Sequence, residues 1–548
     1  MRSTLKLKLA VALVAAGLCG AMPLAASAQA VSAETMREVS AKVDDSIVIV
    51  RFTYDSPGQR IEVEAHGIVV SDDGRVMVPL DFVDARFPDQ YLTRFKIVLP
   101  PSGDEAEQEL PAYFTGRDER SGVAFVQFGR KPAEEAEDNA EANAALRDAR
   151  REVLRKIVLE NLKPGIDPDS VHLQFASTQD QTGDGEAEME EPEEEEDDPT
   201  EPLPEVDWSP MTFNFDDVEV GTPVLSVGRF TEDVGYTTFV TANRVSAKLR
   251  GALPTVMTAG DGLTAVGGVV VNESGEAIGY IPTQPQVSPM QAIMDAERGG
   301  MQMWNIAPPR LFVPASFLKI SLDNPPMPGE PVKIAETGMR QLEGVSKDLR
   351  EYYELGNKPA IQVGDVIPDS AAAAAGVATG DVIIAINGEN LERGDQPEEL
   401  PSIFERTLSR LTVGETVKLT LLDAAGEQKD VDLGLRERPT QSNAAHREYN
   451  ETLGFTVRDL VFDDTYALKI DADSKGALVE YIQESSAAAN ARLGYGDLIR
   501  KINQTDVTDP KQFIAELDKF LEANPNEAVV LEVFRRGDTQ IIRIEPPQ

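Results

Sequence analysis

Thr264-Ala265-Val266-Gly267-Gly268-Val269-Val270-Val271-Asn272-Glu273-Ser274-Gly275-Glu276-Ala277-Ile278-Gly279 reads as two short strands joined by a turn. The apolar run ending at Val271 suits a short strand, and Asn272 to Gly275 are turn residues. The Gly267-Gly268 pair marks a place where the backbone needs freedom that a side chain would deny it. Val266, just before the pair, carries no atom able to attack a carbonyl.

Working outward, the flanks have the texture of small β-barrels. Ser32 to Val43 has helical spacing, and Ser46 to Val50 reads as a buried strand. Ile61 to Val70 ends in the turn signal Asp72-Asp73-Gly74 and is followed by Arg75 to Leu80, Phe95 to Leu99 and Val123 to Val126. After an interruption, strands resume at Thr212, with Val218 to Gly228, Tyr236 to Ala247, Thr264 to Asn272 and Glu276 to Ile281. Leu311 to Leu318 reads as a last strand turning into a closing helix, while Thr283 to Pro309 is a loop without an assignable pattern.

The interruption has two parts. Residues 131–178 hold a long charged helix, Glu134 to Leu162, rich in Ala, Glu, Arg and Leu. Residues 179–207 are Glu-, Asp- and Pro-rich, with the run Glu193 to Asp198; like charges at that density cannot pack, so the stretch is expected to be a solvated insertion.

The chain has 548 residues, suited to several domains, and 94 acidic against 52 basic residues give a formal charge of -42. Such a surface repels nucleic acid and anionic membrane, leaving proteins or cations as partners. Residues 1–30 have the form of a secretory signal: Arg2, Lys6 and Lys8, then an apolar Leu9 to Leu18, then small residues around Ala28. The expectation is export to the periplasm or envelope, with no membrane span after cleavage. Cys19, the single cysteine, lies inside that segment, and Leu18 before it argues against lipid attachment. The mature chain then holds no disulfide, no thiolate metal site and no cysteine nucleophile. No metal-ligand spacing occurs, and no cofactor is expected.

An internal repeat governs the remainder. Asp369-Ser370-Ala371, Gly380-Asp381-Val382-Ile383 and Ile386-Asn387-Gly388 recur as Ser485-Ser486-Ala487, Gly496-Asp497-Leu498-Ile499 and Ile502-Asn503-Gln504. Each copy continues with a helix (Pro397 to Arg410; Pro510 to Leu521) and strands (Thr416 to Leu422; Ala528 to Phe534), the second helix starting on the N-cap Asp509.

The repeated core resembles the PDZ domain. In the second copy Thr452-Leu453-Gly454-Phe455 is similar to the loop that holds a ligand's terminal carboxylate; in the first, Thr337-Gly338-Met339 stands in its place. The resemblance implies a peptide tail added as a strand to Thr456-Val457-Arg458. Its carboxylate would lie on the N–H groups of Leu453, Gly454 and Phe455, and its last side chain against Phe513 and Leu517.

With two such modules behind it, the front of the chain resembles the trypsin-like domain of the HtrA/Deg serine proteases. The matching segments include His66 to Gly74, Gly116 to Ala124, Val220 to Gly228 and Phe312 to Ser316. The fold expected is mainly β with α+β modules: a trypsin-like double β-barrel over residues 31–325, a PDZ domain over 326–437, a linker over 438–450 and a second PDZ domain over 451–548. The resemblance puts the catalytic histidine at Asp81, the aspartate at Gly122 and the serine at Val266, so none of the three roles is chemically supplied. The resemblance and these replacements together imply an exported pseudoprotease that binds peptide segments or protein C-termini as adaptor, chaperone or regulator, with homotrimers or assembly with active relatives implied by the family. The alternatives are an active HtrA-like endopeptidase with relocated residues, for which His66 with Asp118 is the pair to consider, and a structural envelope protein. Asp81 reads as a polar loop residue before it reads as a ligand or acid.

Overall fold

The structure is a computed structural model that describes residues 31–57, 59–83, 87–101, 106–131, 202–230, 232–251, 253–284, 309–328, 332–394 and 397–546. The expected signal segment, the expected helix of 134–162, most of the acidic stretch, His172 and most of the 283–309 loop lie outside those residues.

Ser32 caps the first helix, α1 (Ala33–Val43), its Oγ accepting the Thr35 N–H at 3.0 Å. Six strands then close a barrel: β1 (Ile47–Ser56), β2 (Gln59–Val69), β3 (Arg75–Pro79), β4 (Leu92–Leu99), β5 (Gln108–Asp118) and β6 (Val123–Phe128), in the order β1-β2-β3-β6-β5-β4. A second barrel is built from β7 (Pro223–Arg229), β8 (Thr238–Leu249), β9 (Thr255–Gly260), β10 (Val269–Val271), β11 (Ala277–Tyr280) and β12 (Leu311–Pro314), in the order β10-β11-β12-β9-β8-β7. This is the trypsin-like double barrel, closed by α2 (Ala315–Asp323).

The valine run of β10 is explained by its place between two cores. Val269 and Val271 join the core shared by both barrels, along with Val39 and Val43 of α1, while Val270 points into the second barrel. Period-two alternation therefore leaves no face for a polar side chain. Burying each such side chain contributes about 2 kcal/mol. Ile47 likewise faces the shared core, and Val48, Val50 and Phe52 fill the first barrel.

Two strands escape sequence reading. β5 carries Gln108, Glu109 and Pro111, and β9 ends in Ala259-Gly260; both exist because barrel neighbours pair with them. β10 is shorter than the 264–272 span, because Gly267 turns left-handed at φ +85° and the Gly268 N–H bonds back to the Ala265 carbonyl at 2.9 Å.

The first repeat copy contains β13 (Ala335–Glu336), β14 (Met339–Arg340), β15 (Glu343–Gly344), β16 (Ile361–Gln362), β17 (Asp365–Val366), β18 (Val382–Ile386), β19 (Glu389–Asn390), β20 (Thr416–Leu422), β21 (Gln428–Gly434) and β22 (Arg436–Glu437). Its helices include α3 (Ala371–Ala374) and α4 (Leu400–Ser409), with a further six-residue helix at Lys347–Tyr352, and its main sheet runs β15-β16-β18-β20-β21. The second copy has β23 (Arg447–Asn450), β24 (Phe455–Arg458), β25 (Ala477–Ile482), β26 (Leu498–Ile502), β27 (Thr505–Asp506), β28 (Val529–Arg535) and β29 (Asp538–Ile544), with α5 (Ala487–Asn490) and α6 (Pro510–Ala523). Its sheet runs β23-β24-β25-β26-β28-β29, so it starts at Arg447, inside the expected 438–450 linker.

The repeat is chemical as well as topological. Asp381 and Asp497, 3% and 1% exposed, each accept an N–H three residues back, from Ala378 at 2.8 Å and Gly494 at 2.7 Å. Lys429 and Arg535 neutralise them, which is what permits two buried carboxylates. Asn387 and Asn503 turn left-handed at φ 52° and 53° and accept the N–H of Lys418 and Val530.

Candidate functional site

The three sequence positions assigned to a catalytic triad gather around one dipeptide, Tyr280-Ile281. Asp81, exposed, sits on the 3-10 turn Leu80–Val83 after β3, and the Leu80 N–H bonds to the Gly122 carbonyl at 3.0 Å. Tyr280 Oη donates to that same carbonyl at 2.8 Å and approaches the Ser121 carbonyl at 3.3 Å. Gly267 and Gly268 exchange backbone bonds with Ile281, at 2.8 and 2.9 Å, which pins Val266 beside it.

The aspartate position is not an empty space. A Cβ placed on Gly122, whose φ is +67°, would stand 3.1 Å from Tyr280 Oη and 3.4 Å from Leu253 Cδ2. Tyr280 is 1% exposed, and burial first, then the Asp81 charge, pushes its phenol far above the usual range. It stays a neutral donor. Sequence reading missed Tyr280; an aromatic hydroxyl ending a strand of Ala, Ile and Gly, Ala277–Tyr280, was the available signal.

His66 lies within β2, inside the expected Ile61 to Val70 strand, and is half-buried between the barrels. Burial pushes its imidazole below the usual range, against hydrogen bonds to the Arg229 and Val266 carbonyls that favour the charged form. In the neutral ring Nδ1–H donates to the Val266 carbonyl at 3.1 Å and Nε2 accepts the Arg229 N–H at 3.2 Å; Nε2 also lies 2.7 Å from the Arg229 carbonyl. Arg229 in turn donates to the Ile47 and Asp44 carbonyls at 2.8 Å each, so the contact stitches one barrel to the other. Asp118, fully buried, is held by Arg120 at 2.9 and 2.7 Å and by Ser321 Oγ at 2.7 Å, not by His66. The structure does not assemble the relocated pair.

This burial carries a pH dependence. Because the folded state resists protonating His66, its contribution is complete above the unfolded pKa of about 6.5 and is lost as pH falls below it. Between pH 7 and pH 5 the parent should lose more stability, by urea midpoint, than His66→Gln; equal losses would show that the folded protein takes up this proton.

The peptide-site residues also differ from expectation. Leu453, Phe455, Val457, Phe513 and Leu517 are all 0% exposed and form one core, with the Phe455 and Phe513 rings 6.1 Å apart. Phe513 and Leu517 therefore wall no open pocket. The Leu453 N–H is taken by Asn450 Oδ1 and the Gly454 N–H by the Asn450 carbonyl, both at 2.9 Å. β24 has β23 along one edge and β25 along the other, so no edge at Thr456-Val457-Arg458 is open. In the first copy the arrangement is reversed: β15 ends its sheet, and β13 pairs with β22 instead of with β14. Gly338 there turns at φ +81°, and Thr337 Oγ1 takes the Met339 N–H at 3.2 Å.

Among the described residues no group of three or more His, Cys, Asp or Glu is placed to hold a metal ion, and no helix is long and apolar enough to cross a membrane.

Comparison with known proteins agrees with this architecture. The PDZ-domain family model matches residues 362–403. A probable periplasmic serine endoprotease of Pseudomonas putida, described as DegP-like, is 28% identical over 203 residues, 37% of this chain and 41% of that protein. A probable periplasmic serine protease of Haemophilus influenzae, described as do/HhoA-like, is 29% identical over 205 residues, 37% of this chain and 39% of that protein. The match thus spans about two fifths of these relatives' length. Among solved structures, the HtrA-type protease AlgW with decapeptide superposes over 74% of this chain and 99% of its own, at a TM-score of 0.44 and 15% identity. In sequence, then, part of the chain is similar to periplasmic proteins described as DegP-like or do/HhoA-like, and its residues 362–403 to the PDZ domain.

Proposed function

We propose that the chain is an exported pseudoprotease: a double-barrel scaffold, residues 31–325, carrying two PDZ modules that take peptide segments or protein C-termini as adaptor, chaperone or regulator of active relatives. Periplasmic relatives and the signal-like first 30 residues support export. The observation that carries the reading is the Tyr280 hydroxyl bonded to the Gly122 carbonyl at 2.8 Å and lying 3.1 Å from where a side chain at Gly122 would begin. A Ser-His-Asp site needs a hydroxyl, a near-neutral base and an orienting carboxylate, and Asp81, Gly122 and Val266 supply none of them in role.

A fluorophosphonate probe should leave the mature protein unlabelled. Clear labelling that disappears on mutating one serine, together with casein cleavage by protein free of host protease, would establish the endopeptidase reading instead. Binding is placed first in the first copy, at the Thr337-Gly338-Met339 loop and the β15 edge. Arrayed peptides with free C-termini should be captured and the same peptides amidated should not, because a terminal carboxylate is what loop N–H groups recognise.

A further inference from the structure

β23 pairs with β24 residue for residue: Arg447 with Arg458, Glu448 with Val457, Tyr449 with Thr456 and Asn450 with Phe455. A tail entering by strand addition runs antiparallel to the strand it joins and ends at the loop. β23 has that direction, and its last residue, Asn450, stands at the loop. The Asn450 carbonyl takes the Gly454 N–H and its Oδ1 takes the Leu453 N–H, both at 2.9 Å. One residue thus presents two oxygens to two loop N–H groups, as the two oxygens of a terminal carboxylate would.

The segment is gripped on its other sides too. Asn450 Nδ2 donates to Asp518 Oδ1 on α6 at 3.0 Å. Arg447 Nε and Nη2 meet Glu480 of β25 at 2.5 and 2.9 Å, beside Arg458 on the same carboxylate. From the first barrel, Gln90 accepts the Arg447 N–H at 3.1 Å and donates to its carbonyl at 3.4 Å. Arg447 and Asn450, polar residues of an edge strand, are consequently only 3% and 4% exposed. The first copy, where β13 pairs with β22, shows that the repeat does not require this arrangement.

We propose that Arg447–Asn450 is a built-in occupant of the second copy's peptide groove, and that a protein C-terminal tail enters only by displacing it. The tail that fits has a free carboxylate in the place of the Asn450 oxygens and a basic residue three positions earlier, facing Glu480 as Arg447 does. The inference rests on the reading of the copies as peptide-binding modules.

The internal segment supplies its own probe: the labelled peptide Ala-His-Arg-Glu-Tyr-Asn, residues 445–450, ending in a free carboxylate. Since the Arg447 N–H and carbonyl face Gln90, those of Glu448 face β24, and Glu448→Pro removes a ladder donor. In the full mature chain this variant should bind the probe at least tenfold more tightly than the parent by anisotropy, and the amidated probe should show no gain. Gln90→Ala, which leaves the strand intact, should give a smaller gain in the same direction. In the parent, saturating probe should speed hydrogen exchange at Glu448 and Asn450. If Glu448→Pro keeps β28 and β29 protected yet binds no better, while free C-termini still bind the first copy, the occupant is only a hairpin strand and the proposal fails. If no free C-terminus binds either copy in any variant, the peptide-binding reading itself fails.

Discussion

A chain carrying Asp81→His, Gly122→Asp and Val266→Ser should hydrolyse no casein above the parent's background and should be less stable by about 3 kcal/mol or more, from a left-handed aspartate and a carboxylate forced against the Tyr280 hydroxyl. The obstacle is local. Gly122 has φ +67°, and its added Cβ meets Tyr280 Oη at 3.1 Å before any carboxylate is accommodated. Tyr280 must move, and its Gly122 bond at 2.8 Å is lost with it. Adding Tyr280→Phe removes the colliding oxygen and should recover part of the stability, still without activity. Thermal unfolding and casein kinetics on the two variants decide this; a triple variant that cleaves casein at rates sensitive to each restored residue would show that the cleft is intact.

Gly338→Ala and Gly454→Ala should each melt their own repeat copy, with a loss of about 2–4 kcal/mol from strain and collision together. Both glycines are left-handed, at φ +81° and +73°. A Cβ at 338 would lie 2.1 Å from Ser370 Cβ, and one at 454 would lie 2.5 Å from Ser486 Cβ. These serines cannot retreat cheaply, because each caps the short helix that comes after it: Ser370 Oγ accepts the Ala373 N–H on α3 and Ser486 Oγ the Ala489 N–H on α5. Hydrogen exchange reads the result by copy. Gly338→Ala should deprotect β18 while β26 stays protected, and Gly454→Ala the reverse; loss in both copies from either variant would mean that they fold as one unit.

The repeat was legible because its chemistry is local. Aspartates bonding three residues back, asparagines in left-handed turns and serines capping short helices all leave marks at fixed sequence offsets. β10 was legible for the same reason, as a short apolar run ahead of turn residues. What stayed hidden depended on contacts far apart in the chain: β5 and β9, which neighbours impose on polar sequences, and Tyr280, whose partner lies 158 residues away. Asn450 is the intermediate case. An asparagine four residues before a loop glycine is a turn signal, but only strand order shows that the strand it ends fills the groove.

Arg410, at the end of α4, stacks over the Phe317 ring at 4.1 Å and donates to the carbonyls of Phe317 and Arg120, at 3.3 and 3.2 Å. Phe317 belongs to α2, whose Ser321 bonds the buried Asp118 ahead of position 122. The last helix of the first copy is therefore in contact with the helix that closes the double barrel. Where a partner that shifts α2 changes how tightly the first copy holds a peptide, linkage requires the peptide to change that partner's binding by the same factor.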